Sequence, residues 1–343
     1  MKKRQLLFLS HNIHHPRCEY LVRGLSTDFQ VVAPPFSVAR SSRLSLGSKS
    51  AANMFNLGLS ALGRDLPMHL DGIDVFITPF MRNAEFVHDY HVPLVPELIW
   101  LGLMPFAAIA RTLLPDSIRK ARAIIAPNWR MLSHASEYAR LPDDFFVIPN
   151  YPLKKFYVNI SQEDARAKLN LPQNKQIVLF VGGGRLREIY GVDLLFDTWR
   201  EIRKKVPEAL LYVLGPVHKM GLNPDEVREL RRKNMVFPGV VPHADVPIWI
   251  SSADLCVSQR TPGFPVQWYN IHDSLKLSEY ALFRKPIVAA GYLPGPDYIS
   301  ANTTVESYSK AILKGLNGNA PRPTPHTWEE NLPILRKAYK VLY

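Results

Sequence analysis

The sequence predicts an α/β chain folded as two Rossmann-like, doubly wound parallel-sheet domains. Three observations predict it. The chain has 343 residues, more than one domain of ordinary size holds. Short apolar runs such as Gln176–Val181 (QIVLFV) and Ala209–Leu214 (ALLYVL) alternate with longer amphipathic stretches. Continuous rather than alternating apolar strands are those buried on both faces, with helices as crossovers. The same alternation recurs in both halves, on either side of a turn-rich stretch at 150–174.

In chain order, the first half offers strands at Leu6–Ser10, Phe29–Ala33, Val75–Thr78, Glu85–His88, Ala123–Ala126 and Phe145–Pro149, with helices at Cys18–Leu25 and Met131–Ala139. An insertion at 37–67 interrupts this pattern. Its Arg40, Arg43, Lys49 and Arg64 surround Met54, Phe55, Leu57, Leu59 and Leu62. Leu98–Leu114 is strongly apolar and is bounded by Arg111, Arg119, Lys120 and Arg122. It reads either as a core-facing helix or as a stripe lying on an anionic bilayer, and the insertion reads as a membrane or acceptor contact. In the second half, Gln176–Val181 leads to an amphipathic stretch at Asp193–Val206, and Ala209–Leu214 to a charged helix at Asp225–Lys233. Met235–Pro238, a helix at Ala244–Ser252, Leu255–Ser258, a helix at Ser274–Phe283 and Pro286–Ala290 follow. The expected domains are therefore 1–155 and 156–320, facing a cleft. A last helix at 326–343 lies beyond the Pro-rich linker Ala320–Pro325. Ligands of such sheets bind outside the carboxyl ends of the strands, so the loops after Ser10, His88, Val181, Leu214, Pro238 and Ser258 are the ones to inspect.

Composition narrows the function. Lys and Arg number 42 against 30 Asp and Glu, a net charge of +12. A basic surface attracts nucleic acid, an anionic membrane or phosphorylated small molecules. No nucleic-acid motif is legible, so nucleic acid is not an expected partner. Cys18 and Cys256 make neither a disulfide framework nor, unaided, a metal site. No run approaches the length of a membrane span. The basic start and apolar Leu6–Leu9 are broken at once by Ser10-His11-Asn12, too soon for an export signal, so a cytoplasmic protein, peripheral on the membrane if the apolar stripes are lipid contacts, is expected.

Three constellations can carry chemistry. Gly182-Gly183-Gly184-Arg185-Leu186-Arg187 follows a buried strand. Its glycines admit close backbone approach and its arginines match phosphate oxygens, although a plain turn has the same look; the G-x-G-x-x-G pattern is not met. In Asp273-Ser274-Leu275-Lys276-Leu277-Ser278-Glu279, Asp273 or Ser274 can cap a helix whose first-turn amides suit an anion, and Lys276 adds a full charge there. Glu279 can accept hydrogen bonds from sugar hydroxyls; a capped surface helix is the plainer alternative. His88-Asp89-Tyr90-His91 closes a strand, and His88 could act on a substrate hydroxyl or leaving group, with His14-His15 a weaker candidate. The 88–91 pair has no third ligand at metal spacing, so no metal is expected.

The segments 178–199 (VLFVGGGRLREIYGVDLLFDTW), 209–216 (ALLYVLGP), 236–258 (VFPGVVPHADVPIWISSADLCVS) and 273–290 (DSLKLSEYALFRKPIVAA) resemble, in order and spacing, the nucleotide-sugar domain of family 4 of the retaining glycosyltransferases. The first half is similar at 86–98 and 120–151, and 327–343 resembles the family's closing helix, which crosses back to the first domain. The resemblance implies the GT-B architecture and transfer of a sugar from a nucleoside-diphosphate sugar to a hydroxyl acceptor, glycan or lipid-linked, with retention and without a metal. By the same resemblance, Glu279 binds the ribose hydroxyls and Arg185 the phosphates. The amides at Gly183, Gly184 and Leu275 cradle the diphosphate, Val240 and its neighbours hold the base, and His88, with His91 as the alternative, lies near the sugar. Two positions depart from the pattern. Ile271 stands where the family has a first glutamate, with Asp273 a candidate substitute. Tyr190 stands where it has a lysine, with Arg187 and Lys276 candidates to replace the charge. An epimerase or hydrolase of the same fold, or a silent nucleotide-sugar or glycan binder, are the alternatives.

Overall fold

The computed structural model describes residues 3–10, 15–33, 66–81, 84–182, 189–264, 267–269 and 273–343. Most of the insertion at 37–67, with its four basic residues, lies outside them, as do His14, Gly183, Gly184, Arg185, Arg187 and Ile271. The chain divides into one unit of Met1–Asn150 with Trp328–Tyr343 and another of Tyr151–Thr327. The boundary falls before the sequence-based 155. Asn150 Oδ1 accepts a hydrogen bond from Arg17 in the first unit at 2.7 Å, whereas the Tyr151 ring stacks on His326 of the second, with centroids 4.8 Å apart.

The first unit holds a parallel sheet of β1 (Arg4–Leu9), β2 (Phe29–Val32), β3 (Met68–Asp71), β4 (Phe86–Asp89), β5 (Ala123–Ala126) and β6 (Phe145–Val147), in the order β2-β1-β3-β4-β5-β6. Leu6, Leu7, Phe8 and Leu9 are fully buried, as a strand covered on both faces requires. Val75–Thr78 is not a strand. Residues Gly72–Phe80 form a 3-10 turn, and the strand beside β1 is Met68–Asp71. Gly72 lies so close to β4 that a Cβ there would stand 2.4 Å from the Asp89 carbonyl oxygen. The polar side chains of β3 find their partners from afar: the His69 ring stacks on Phe8 at 3.9 Å, and its Nδ1 is hydrogen-bonded to the hydroxyl of Tyr339, while Nε2 is buried without a partner among the described residues. Tyr339 belongs to the last helix, Leu332–Lys340, which packs on this unit and is held at its surface by Arg336 Nε, 2.9 Å from Asp28.

The apolar stretch Leu98–Leu114 lies on two helices that come after α1 (Pro16–Leu25), namely α2 (Leu94–Trp100) and α3 (Met104–Lys120), broken at Leu101-Gly102 where Gly102 has a φ of 75°. The core-facing reading holds for one face of the pair. Ala107, Ala110, Leu114 and Ile118 are buried, while Ile99, Leu103, Met104, Phe106 and Ile109 are exposed by 39–57%. No helix among the described residues is long and apolar enough to cross a membrane.

The second unit holds β7 (Ile177–Val181), β8 (Leu210–Leu214), β9 (Met235–Gly239), β10 (Leu255–Gln259), β11 (Ile287–Ala290) and β12 (Ile299–Ala301), parallel, in the order β12-β11-β10-β7-β8-β9. Trp199 of α4 (Val192–Lys205) and Tyr308 fill the core on one face. Ile250 of α5 (Val246–Ser252) and Tyr280 of α6 (Leu275–Leu282) fill it on the other. Each such side chain contributes roughly 1.5–3 kcal/mol by leaving water, which is why this half of the sequence is so uniformly apolar along its strands.

Candidate functional site

In the second unit the strand order reverses between β7 and β10, so a ligand crevice is expected outside their carboxyl ends. The two loops leaving these ends are packed together. Thr261 N donates to Ile189 O at 3.0 Å. Gly191 precedes α4 with a φ of 48°, and a Cβ there would lie 2.9 Å from Thr261 Cα, so both conformation and space demand glycine. Tyr190 and Arg260 are thereby side by side, the guanidinium carbon 5.4 Å from the ring centroid.

Helix α6 follows β10 and is tied to β7 by Tyr280, whose buried hydroxyl accepts the Val181 N–H at 2.9 Å. Ser274 holds the N-cap position, but its side chain makes no capping hydrogen bond, so it does not occupy the first-turn amides beside Leu275 and Lys276. Asp273 directly precedes it. Lys276 reaches back over the β7 loop. Its Nζ lies 3.4 Å from the Tyr190 ring centroid and 4.6 Å from that of Phe180. The nitrogen is buried and has no hydrogen-bond partner among the described residues. Burial lowers its pKa well below the usual lysine value; Arg260 pushes the same way and Glu279 opposes. Lys276, one of the two candidates to replace the charge missing at Tyr190, thus stands on the face of that ring.

Glu279, one turn further along α6, is buried, and its Oε1 accepts from His243 Nε2 at 3.0 Å. Burial raises its pKa, and His243 works against that rise. His243 sits in the loop after β9 and packs on Phe156 with centroids 4.9 Å apart. Val240, in the same loop, is 73% exposed and open to a flat ligand. The fold therefore gathers Asp273, Ser274, Leu275, Lys276 and Glu279 on one helix end, with Val240 on the loop that His243 joins to it. Sequence reasoning missed His243 and Arg260. The first is 36 residues from its partner. The second did leave a signal, an arginine directly after a buried strand and before an aromatic cluster.

In the first unit the strand order reverses at β1 and β3, and their ends carry a buried polar cluster. Ser10 Oγ donates to Asp71 Oδ2 at 2.7 Å. Arg17 grips Asp89 with Nε to Oδ2 and Nη2 to Oδ1, both 2.8 Å, and reaches Ile148 O and Asn150 with Nη1. His91 lies 3.4 Å from Asp89 and 3.8 Å from Asp71. Burial alone would lower the His91 pKa, but Asp89 and Asp71 outweigh it and raise the value. His88 is not at this edge. Strand β4 runs on through Asp89, and His88 is fully buried with Nδ1 3.1 Å from Ser117 Oγ of α3, its pKa lowered by burial to about 4. The strand-end histidine is His91. Among the described residues no group of His, Cys, Asp and Glu could hold a metal ion.

Solved structures share this architecture over nearly the whole chain. Sucrose-phosphate synthase from Thermosynechococcus elongatus aligns with a TM-score of 0.67 at 14% identity, covering 99% of this chain and 96% of that one. HepE of Anabaena, in complex with UDP and glucose, aligns at 0.62 and 15% identity over 99% and 96%. A UDP-N-acetylglucosamine 2-epimerase homologue from Listeria monocytogenes aligns at 0.63 and 14% over 99% and 96%. No curated protein matches the sequence. The family described as glycosyl transferases group 1 matches residues 175–315, the segment that carries both reversal-point loops and α6. The two parallel sheets have the GT-B architecture of these solved structures, and residues 175–315 are similar to the glycosyl transferases group 1 family.

Proposed function

We propose that the protein moves a sugar from a nucleoside-diphosphate sugar to an acceptor hydroxyl, with retention of configuration and without a metal. The observation that carries this is the placing of a buried amine nitrogen, Lys276 Nζ, and a buried carboxylate, Glu279, at the start of α6 inside the matched segment. Glu279 accepts from the ribose hydroxyls, the loop at Val240 holds the base, and the first-turn amides at Leu275 and Lys276 face the diphosphate. Arg185, with Gly183, Gly184 and Arg187, is proposed to complete the phosphate site. As the sugar–phosphate bond breaks, negative charge builds on the leaving diphosphate, and preorganised cations and amides stabilise it. His91, in place of His88, is proposed as the catalytic histidine of the first unit. The acceptor oxygen attacks from the face the diphosphate leaves, and no side-chain nucleophile is needed.

For the acceptor, we infer a molecule held at an anionic lipid surface. The exposed face of the α2–α3 hairpin is large and apolar, and Arg111 is the sole charged residue between Leu98 and Leu114. A monomer seldom leaves such a patch to water. Liposome flotation tests it: recovery should rise with anionic lipid and fall for Phe106→Ser with Ile109→Ser; equal recovery with and without anionic lipid overturns the contact.

The donor reading is tested by incubating the protein with uridine-, guanosine- and adenosine-diphosphate sugars and following thermal stabilisation and nucleotide release, with and without lipid or glycan acceptors. Anomeric configuration of the product, read by NMR, decides retention. An epimerised or free sugar with no acceptor product would assign the epimerase or hydrolase reading instead. No stabilisation by any donor overturns the proposal.

A further inference from the structure

The mechanism above asks Lys276 to be a cation, yet its surroundings in the free protein do not favour one. An ammonium carries three donors. Here Nζ is buried against the faces of Tyr190 and Phe180 with no hydrogen-bond partner among the described residues. A second cation shares the same ring: the Arg260 guanidinium stands over Tyr190 and also over Phe264, Tyr269 and Tyr292, each at 4.9 Å. Aromatic faces attract a cation, but only by about 0.5–2 kcal/mol, which does not replace the hydration an ammonium loses on burial. Glu279, the carboxylate that acts on Nζ, is already engaged by His243.

We propose that Lys276 and Arg260 together form a proton-linked seat for the donor's diphosphate, in which Lys276 takes up a proton from solvent as the anion enters. This rests on the donor reading of the site. Arg260, whose charge is permanent, is the fixed half of the seat and is itself a diphosphate-binding residue. Lys276 is the switched half: a neutral amine is tolerated between the rings, and the arriving dianion supplies the counter-charge and the acceptors that an ammonium needs. The proton comes from bulk buffer and stays on Nζ while the anion is bound, so the cation is in place when charge builds on the leaving group. The downward shift of the Lys276 pKa through burial and Arg260 agrees with this. The groups facing Nζ from the packed elements are Tyr190, Arg260 and Glu279, with His243 behind Glu279. The other charged groups of the β7 loop, Arg185, Arg187 and Glu188, lie outside the described residues.

Isothermal titration of the full chain with UDP-glucose, GDP-glucose and ADP-glucose, each in buffers of low and high ionisation enthalpy, tests the proposal. A nucleotide sugar has no group of its own that titrates near neutral pH, so any buffer dependence belongs to the protein. The expected result is uptake of up to about one proton per ligand bound at and just above neutral pH. Lys276→Met should abolish the uptake and weaken binding, His243→Gln should leave the uptake in place, and Arg260→Gln should weaken binding and make uptake begin at a higher pH. Binding without uptake, or uptake that survives Lys276→Met, overturns the proposal while leaving the donor reading intact. If Lys276→Met binds too weakly to titrate, the shift in Arg260→Gln decides. Failure of all the nucleotide sugars to bind would instead overturn the donor reading itself.

Discussion

Asp89→Asn should cost the first unit much of its stability, and the size follows from the geometry. Arg17 and Asp89 meet through two 2.8 Å contacts with side chains essentially inaccessible to solvent. Asparagine keeps the shape but removes the charge, leaving the guanidinium buried without its counter-ion. Breaking a buried pair in this way costs about 3–5 kcal/mol. For a unit of this size that lowers its melting temperature by about 6–20 °C. Differential scanning calorimetry of the full chain should show the loss in one transition, with the other unmoved. The pH dependence supplies a second check. Burial alone would raise the Asp89 carboxyl, but Arg17 and then His91 hold it far below the usual carboxylate range. A depressed acid contributes stability above its ordinary value near 4, and that stability is lost as pH falls toward the folded value. The wild type should therefore weaken steeply in acid and Asp89→Asn should not. Replacing both partners, Arg17→Met with Asp89→Leu, should cost less than Asp89→Asn alone. A single variant within about 1 kcal/mol of wild type, against the expected cost, would refute the reasoning.

His91→Gln should flatten the alkaline side of the same stability profile. The His91 pKa is raised, so its contribution is complete below its ordinary value of 6.5 and disappears as pH climbs through the folded one, a slope that urea titrations at several pH values would show. Tyr280→Phe leaves the buried Val181 N–H unpaired, costing about 1–3 kcal/mol, and should also weaken nucleotide-sugar binding because α6 loses its tie to β7; unchanged affinity would separate the two elements. Gly191→Ala forces a side chain into the space of Thr261 at a positive φ and should destabilise the second unit by about 1–3 kcal/mol while weakening donor binding, read by calorimetry and titration.

The second unit was the more legible half, for a physical reason. Strands such as Ile177–Val181 and Leu210–Leu214 are covered by helices on both faces, so almost every position must be apolar, and the run itself announces the strand. β3 hides for the opposite reason. Met-His-Leu-Asp has no strand pattern, since His69 meets Phe8 and Tyr339 and Asp71 meets Ser10, partners that only the fold brings near. The sequence shows the more apolar Val75–Thr78 instead, which turns out to be a 3-10 turn. The same limit governs the site. Lys276 and Glu279 stood out because helix spacing places them together. The histidine that touches Glu279 and the arginine that shares Tyr190 with Lys276 come from the loops after β9 and β10, and no local pattern pairs them.

The two sheets offer a comparison that the net charge of +12 cannot make. Each unit carries a buried arginine beside the carboxyl ends of its central strands, and the difference lies in what surrounds it. Arg17 is met by the carboxylate of Asp89, by a backbone carbonyl and by an asparagine oxygen, so its charge is satisfied within the fold. Arg260 is ringed by four aromatic faces and has Lys276 for a neighbour on one of them. Aromatic rings orient a cation without neutralising it. A fold that needed only stability would do better with a methionine at 276, since burying a basic group there costs free energy that packing does not return. Retaining a buried amine beside that guanidinium, on the one ring they share, makes sense if the counter-charge that Lys276 needs arrives with the ligand. On that argument the anion site proposed above belongs at the second unit's edge, and the first unit's ion pair is framework.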